Sequence, residues 1–492
     1  MNEISQKLAS ILQYDAATPL LFNTGLFLLL FLAFLLLYRM LRRWQWVKMI
    51  AVILFSLYFY YKSSAEYCFI LLGVCIMDYV LGFLLGKTEN NAGRRSIVAI
   101  NVVINIGMLV YFKYVNLIFS TLADFASADF NPLDIVLPAG ISFFTFRSIS
   151  YIVDIYRREI KPCTNFLHYT FFLTFFPPLL AGPVVRAKDM LPQIKENPVA
   201  DKFMVGAGFF LIITGLIKKV VIADYISGNF VDRIFDNPAL YTGFENLMGV
   251  YGFTLQLYCD FSGYSDMAIG IALLLGFRFK DNFDSPFKSQ SPTEFWRRWH
   301  ISLSTWLRDY LYIPMGGSRT SKIKSHRNLV TTMALGGLWH GASWMYVIWG
   351  LWNGVLLVLH KIYKEIFRIP KDDKPGAVRH FLNVLVTFNL MAFGFMFFRG
   401  ESMEKVGDMA RQIFFHFNGS VWRQFVDGYF WICVAIIAGF ALHFSPKSWT
   451  TRLRESYSAM PAVVQGVILA IVIFVIIQAS QSELVPFIYL QY

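Results

Sequence analysis

Two histidines sit where a proton could be moved. His340 lies in LGGLWHGASW, residues 335–344, between Trp339 and Gly341 and close to Ser343 and Trp344. His300 lies in FWRRWHISLSTWLRDYLYIPMGGSR, residues 295–319, where Arg297, Arg298, Arg308, Asp309 and Arg319 alternate with Trp296, Trp299, Trp306, Tyr310 and Tyr312. A neutral imidazole can take a proton from a hydroxyl, and glycines beside His340 let a substrate or another backbone come close. A histidine that only packs and hydrogen-bonds fits the same spacing equally well. Charge in an apolar chain is costly unless it pairs, snorkels or lines water, so the charged residues of 295–319 mark a pathway or reaction site.

Competing chemistries find no residues to run on. There is no GxSxG elbow, no HExxH, no GxxxxGK[ST] and no cysteine beside a histidine, which disfavours acyl-enzyme hydrolases, zinc proteases and nucleotide-driven pumps. Cys68, Cys75, Cys163, Cys259 and Cys433 are scattered without CxxC spacing, so neither a disulfide framework nor a metal site is expected. The other six histidines, His168, His326, His360, His380, His416 and His443, fall near the ends of apolar runs or in loops and read as interfacial or solvated. Asp260 and Asp266, six apart in YCDFSGYSDMAIG, would lie on different faces of a helix, which favours packing or capping roles over a carboxylate pair. The Lys and Arg of 278–327 serve equally as topological anchors or as a site for donor phosphates. Direct transfer from an activated acyl donor needs only a base, an oxyanion partner and a dry tunnel.

The elements that must position these groups are membrane helices. Of 492 residues, 56% are hydrophobic and only 15% charged, where a soluble domain carries roughly a quarter charged. The net charge of +12 sits in short Lys/Arg clusters between apolar runs, a positive-inside pattern rather than a nucleic-acid surface. Residues 20–38 are long enough to cross and run into Arg39, Arg42 and Arg43, which places the N-terminus outside; no cleaved signal peptide is expected. Runs at 47–61, 67–86 and 97–119 alternate basic and acidic loops. Residues 135–155 carry the string Ser142, Thr145, Arg147, Ser148, Ser150 and Asp154, which reads as a wall of a wet cavity. Pro177, Pro178 and Pro183 break 167–185, and basic flanks favour a re-entrant hairpin there. Residues 203–222 exit, 243–277 return, and 278–327 are cytoplasmic. Residues 329–363 are too long for one helix; with Gly336, Gly337 and Gly341 as the interruption and basic flanks at both ends, they predict a helical hairpin, or two crossings, that puts His340 near the midplane. Residues 381–398, 429–444 and 463–477 cross again, and 401–428 reads as an amphipathic outer-surface element. No internal repeat, low-complexity tract or soluble domain is apparent.

FWRRWHISLSTWLRDYLYIPMGGSR together with GLWHGASWMYVIWGLWNG resembles the two signature blocks of the membrane-bound O-acyltransferase family, in its bacterial alginate O-acetylation branch. LPAGISFFTFRSISYIVDIYR (137–157), FFPPLLAGPVVR (175–186), YCDFSGYSDMAIG (258–270), NFDSPFKSQSPTEFW (282–296) and MFFRGE (396–401) are similar to the same branch and occur in its order. The resemblance implies an all-α polytopic membrane protein: a ring of about ten to twelve transmembrane helices with re-entrant and hairpin segments around a central funnel. It forms one domain over 1–492, with its signature core at 137–400, N-terminal helices at 20–119 and C-terminal helices at 429–478. It implies His340 as catalytic base and His300 as a second catalytic position. Trp296, Arg297, Arg298, Trp299, Ser304, Trp306, Arg308, Asp309, Trp339, Ser343 and Trp344 are the expected substrate-binding residues. The implied reaction moves an acyl group, acetyl above all, from a cytoplasmic acyl coenzyme A or acyl carrier protein thioester to hydroxyls of an exported or cell-surface polysaccharide, or to a periplasmic acyltransferase partner. No bound cofactor, metal or nucleic acid is expected, and the location is the bacterial inner membrane. Two alternatives stay open: D-alanyl transfer to teichoic acid from a carrier protein, and a transporter that does no chemistry. One departure stands out, Arg147 after the FTF motif, where the family pattern has an uncharged amide.

Overall fold

The computed structural model describes residues 11–15, 19–370, 375–479 and 486–488. Among these residues it consists of helices and connections, with no strand. Contacts group the chain into two compact units, Met1–Ile212 with Met267–Lys280, and Ile213–Asp266 with Asp281–Tyr492.

The first unit holds α1 Gly25–Met40, α2 Gln45–Ser64, α3 Cys68–Lys87, α4 Asn91–Leu109, α5 Val115–Ala126, α6 Ile141–Tyr156, α7 Phe166–Thr174, α8 Ala187–Glu196 and most of α9 Lys202–Leu216. Thr24 starts α1 by accepting a hydrogen bond from the Phe27 amide at 3.2 Å, and Asn165 starts α7 by accepting from Leu167 and His168. Large apolar side chains such as Leu29, Leu32, Phe69 and Val103 point outward, as helices solvated by hydrocarbon require. α6 corrects one expectation. Its polar string is not an open wall but a packed network. Ser148 donates to Asp78 at 2.7 Å, Asn101 and Asn105 donate to Ser148, Asn101 and Tyr169 donate to Asp78, and all six side chains of the string are buried. Arg147 is fully buried, donates to the Phe172 carbonyl and lies 5.0 Å from the Phe172 ring centre. Its place is therefore among α3, α6 and α7 of the first unit.

The proline-rich segment behaves as its residues demand. α7 stops at Thr174, and residues 175–186 run without regular structure to α8, with Phe175, Phe176, Leu179 and Leu180 buried. Protein supplies the partners that a broken helix loses: the Phe176 amide donates to Ser56 at 3.2 Å. Gly140, at φ +70°, passes so close to Leu179 that a Cβ would lie 2.5 Å from its carbonyl oxygen.

The second unit holds α10 Asp232–Asp236, most of α11 Gly243–Leu274, then α12 Pro292–Arg298, α13 Ile301–Leu307, α14 Lys322–His340, α15 Trp344–Ile366, α16 Ala377–Arg399, α17 Met403–Phe415, α18 Trp422–Gly428, α19 Phe430–Phe444, α20 Lys447–Ala459 and α21 Ala462–Ala479. α17 buries Val406 and Met409 and exposes Phe414 and Phe415, in keeping with an amphipathic surface element. Six segments among the described residues are long and apolar enough to cross a membrane, or seven if the bent pair Gly419–Gly428 and Phe430–Phe444 is one span. One of the six, Gln45–Lys87, is α2 and α3 end to end. α6 falls outside this set because it has only 16 residues, and α11 because Gln256, Asp260 and Asp266 interrupt its apolar character. The chain is an all-α polytopic membrane protein.

Candidate functional site

His340 is the last residue of α14, and a three-residue turn leads into α15. The helix ends because Gly341 adopts an extended conformation and Ser343 caps the next one, accepting from the Met345 amide at 3.2 Å. Gly341 also has no room for a side chain, since a Cβ would lie 2.1 Å from the Tyr346 ring. Of the three glycines expected to interrupt the segment, Gly341 makes the break, whereas Gly336 and Gly337 are helical. Gly337 instead lets the two legs touch: a Cβ there would lie 2.2 Å from the Tyr346 carbonyl oxygen, and one on Gly350 would lie 2.3 Å from that of Met333. At the feet of the hairpin Lys322 and Glu365 pair at 2.7 Å.

Three aromatic rings enclose the imidazole. Trp339 and Trp349 each stand 5.0 Å from it and Phe398 5.4 Å, all edge-on, and His340 is 4% exposed. Phe398, from the end of α16, was not foreseen as a site residue. The same cage continues through Trp296, 5.8 Å from Trp349, whose indole donates to Asn353 at 3.3 Å and so ties α12 to α15.

His300 is built differently. It precedes α13 at φ 42° and ψ 56°, a left-handed conformation that a residue with a Cβ adopts only when its surroundings insist. Asn282 is what insists. Its carbonyl oxygen atoms accept from Ile301 N at 2.9 Å (backbone) and from Ser302 N and Oγ at 3.1 and 2.8 Å (side chain), and the His300 Nδ1 lies 3.2 Å from the same side-chain oxygen. That oxygen accepts throughout, so Nδ1 carries the proton and Nε2 keeps a lone pair. Phe261 packs edge-on at 4.6 Å, and Trp339 lies 6.2 Å away, between the two histidines. Burial pushes the imidazole down to about 3, so His300 is neutral at any physiological pH and a weak proton acceptor.

The other expected binding residues divide. Trp299 is buried against Phe295, Phe283 and Phe395, and Trp306 is buried near Tyr310. Trp339 is the common wall of both histidines. Ser304 donates to the Trp299 carbonyl at 3.2 Å and Ser343 is a helix cap, so both hold turns in place. Trp344 is exposed. Arg298 is committed to Glu294 at 2.8 Å and to the Asp284 carbonyl at 3.1 Å, and Arg308 to Asp309 at 2.7 Å. Arg297 is exposed beside them. Asp260 and Asp266 do face different partners, Lys219 at 2.6 Å and Lys218 at 2.6 Å. Neither lysine, nor Asn282, was picked out from the sequence, because what distinguishes them is a contact made across tens of residues.

In the acyl transfer that the sequence resemblance implies, replacing His300 by glutamine is expected to lower the rate ~10- to 100-fold through misplacement of the site. Because His300 does not titrate between pH 5 and 9, the shape of the pH–rate profile stays the same. Loss of the acidic limb in His300→Gln would make His300 the base instead.

The profile of the membrane-bound O-acyltransferase family matches residues 155–399. The chain is 40% identical over 405 residues to the probable alginate O-acetylase AlgI of Pseudomonas aeruginosa, covering 80% of this chain and 75% of that protein. It is 35% identical over 428 residues to the peptidoglycan O-acetyltransferase of Helicobacter pylori, covering 81% and 80%. Similarity extends to the teichoic acid D-alanyltransferase of Bacillus subtilis, at 27% over 282 residues, 55% of this chain and 70% of that one.

Proposed function

Because the chain belongs to the membrane-bound O-acyltransferase family, we propose that this O-acyltransferase carries an acetyl group from a cytoplasmic thioester across the bacterial inner membrane to a hydroxyl of an exported or cell-surface polysaccharide, directly or through a periplasmic acyltransferase partner. The observation that carries this reading is His340 at the tip of a helical hairpin, buried among Trp339, Trp349 and Phe398 and therefore shielded from water that would hydrolyse the donor. His340 takes the proton of the acceptor hydroxyl as its oxygen attacks the thioester carbonyl. The carbon–sulfur bond breaks, and the leaving thiolate receives that proton from the imidazolium, so no net proton is gained or lost. His300 is a positioning residue: neutral and clamped by Asn282, it fixes the Trp339 wall from the far side. Arg297 and Arg308, exposed on the basic segment, suit the phosphates of a coenzyme or carrier donor.

The names of the Pseudomonas aeruginosa and Helicobacter pylori relatives support acetyl transfer to a polysaccharide. The weaker similarity to D-alanyltransferases favours, as a second reading, D-alanyl transfer from a carrier protein. Purified protein supplied with acetyl coenzyme A, acetyl carrier protein or D-alanyl carrier protein separates the two by the mass added to the acceptor. No added mass with any donor would rule out both and leave a transporter.

Sidedness gives a further test. In a cysteine-free version, Ser321→Cys labels from the cytoplasm and Ser127→Cys from outside, both positions being exposed. Ser343→Cys labels slowly with small reagents and is protected by donor. Ser325, an obvious second cytoplasmic reporter by sequence, is buried and bonded to Tyr312 and Lys361, so it is a poor choice. Labelling of Ser321→Cys from the periplasm of intact cells would overturn the cytoplasmic-donor scheme.

A further inference from the structure

The second unit contains a polar cavity of about 320 Å³ whose lining includes none of the residues given a role above. Lys219 stands at its inner end, bound to Asp260 at 2.6 Å and Asp224 at 2.8 Å. Lys219 lies at the middle of the 35-residue span Lys202–Asp236, roughly half a bilayer deep, whereas Asp232 and Asp236 line the cavity at the end of the same span. The cavity therefore runs from mid-depth to one face. Its wall is made by π-helical turns, Ile217–Asp224 and Ser227–Val231, a widened geometry that recurs at functional sites. The tail closes it: the Pro486 carbonyl accepts from Lys219 at 3.2 Å and the Ile488 amide donates to Asp260 at 2.9 Å.

Two observations say what would fit. Gln256 lines the cavity and is 9% exposed; its amide nitrogen donates to Ser227 at 2.8 Å, but its side-chain oxygen is buried without a hydrogen-bond partner. A buried acceptor in that state is unfavourable until a donor arrives. The lining also has four carboxylates, Asp224, Asp232, Asp236 and Asp260, against two cations, Lys219 and Arg399. An anionic ligand meets repulsion there, whereas hydroxyls can donate to Gln256 and the carboxylates and accept from the cations. The carboxylates do not converge on a metal: among the described residues no group of three or more His, Cys, Asp or Glu could hold one. Arg399, on the cavity wall, is the chain neighbour of Phe398, whose ring packs on His340.

We propose that this cavity is the acceptor subsite and that it takes a neutral, hydroxyl-rich group, a sugar ring or polyol, rather than an anionic uronate. The proposal rests on the acyl-transfer reading and narrows its acceptor. It is tested on the full chain in nanodiscs, carrying His340→Ala to prevent turnover, with the native cysteines replaced and Ser227→Cys as reporter. Maltotriose protects that thiol from a small alkylating reagent, and trigalacturonate does not. Adding Gln256→Leu raises the maltotriose concentration needed at least tenfold. Equal or better protection by trigalacturonate, or no effect of Gln256→Leu, overturns the proposal. In the native chain, which avoids any folding defect of the variants, maltotriose raises the thermal midpoint; the absence of a shift also overturns it. Acyl transfer by the native chain is measured in parallel. Transfer without protection defeats the subsite alone, and protection without transfer defeats the reaction and leaves the subsite standing.

Discussion

Replacing His340 by alanine lowers acyl transfer by about 100- to 10,000-fold, the range over which a general base contributes, while the protein reaches the membrane at near-normal level. The magnitude comes from placement: His340 is buried at the hairpin tip, with Trp339, Trp349 and Phe398 edge-on to its ring, so water has little access to replace it. Alanine also leaves a void, and large-to-small changes in packed sites carry a stability cost of their own. His340→Gln separates the two effects. It fills most of the ring's volume and offers an amide in place of a base, so it restores the thermal midpoint and not the rate. Measurable rates near the native value in either variant would show that the hairpin positions substrate without moving the proton.

Gly337→Ala has the second largest effect although it touches no substrate. One methyl group there would stand 2.2 Å from the Tyr346 carbonyl oxygen, a backbone atom that cannot rotate away. The legs of α14 and α15 must separate, and His340, three residues further along α14, moves with them. Overpacking of this kind costs about 1–3 kcal/mol in stability, but the displacement matters more, because a misplacement of ~1 Å lowers a rate on the order of 100-fold. The expected result is a folded protein with a lowered thermal midpoint, intact donor binding and a rate reduced ~10- to 100-fold. Gly336→Ala is the control, since a Cβ there meets only the Leu307 side chain at 3.0 Å, which can yield. Equal losses in both variants would point to helix propensity rather than leg spacing.

The sequence made the hairpin visible because apolar length, basic flanks and a glycine-rich centre are all local properties. The proline break at 175–186 was legible for the same reason, and helical phase alone separated Asp260 from Asp266. Local reading misled where one residue type has two uses. Gly336 and Gly337 looked like a break, yet within a helix they serve close packing, and only Gly341 interrupts the hairpin. The polar string of α6 looked wet, but its partners Asp78, Asn101 and Tyr169 come from other helices. Asn282, which holds His300 in its left-handed turn, and Phe398, which completes the cage around His340, lie inside the blocks 282–296 and 396–401, but nothing local singles either out within its block. Such residues are found by pairing across the fold, and pairing is what a single chain does not display.

The salt link between Lys322 and Glu365 brings the entry and exit of the α14–α15 hairpin side by side. A segment that leaves from the place where it entered does not alter the parity of the later spans. During biogenesis the helices from α16 onward are therefore oriented independently of whether this hairpin has inserted, and a chain with the hairpin deleted keeps the sidedness of its C-terminal part. The part of the molecule most sensitive to small displacements is thus the part whose late or failed insertion least disturbs the assembly of the remainder.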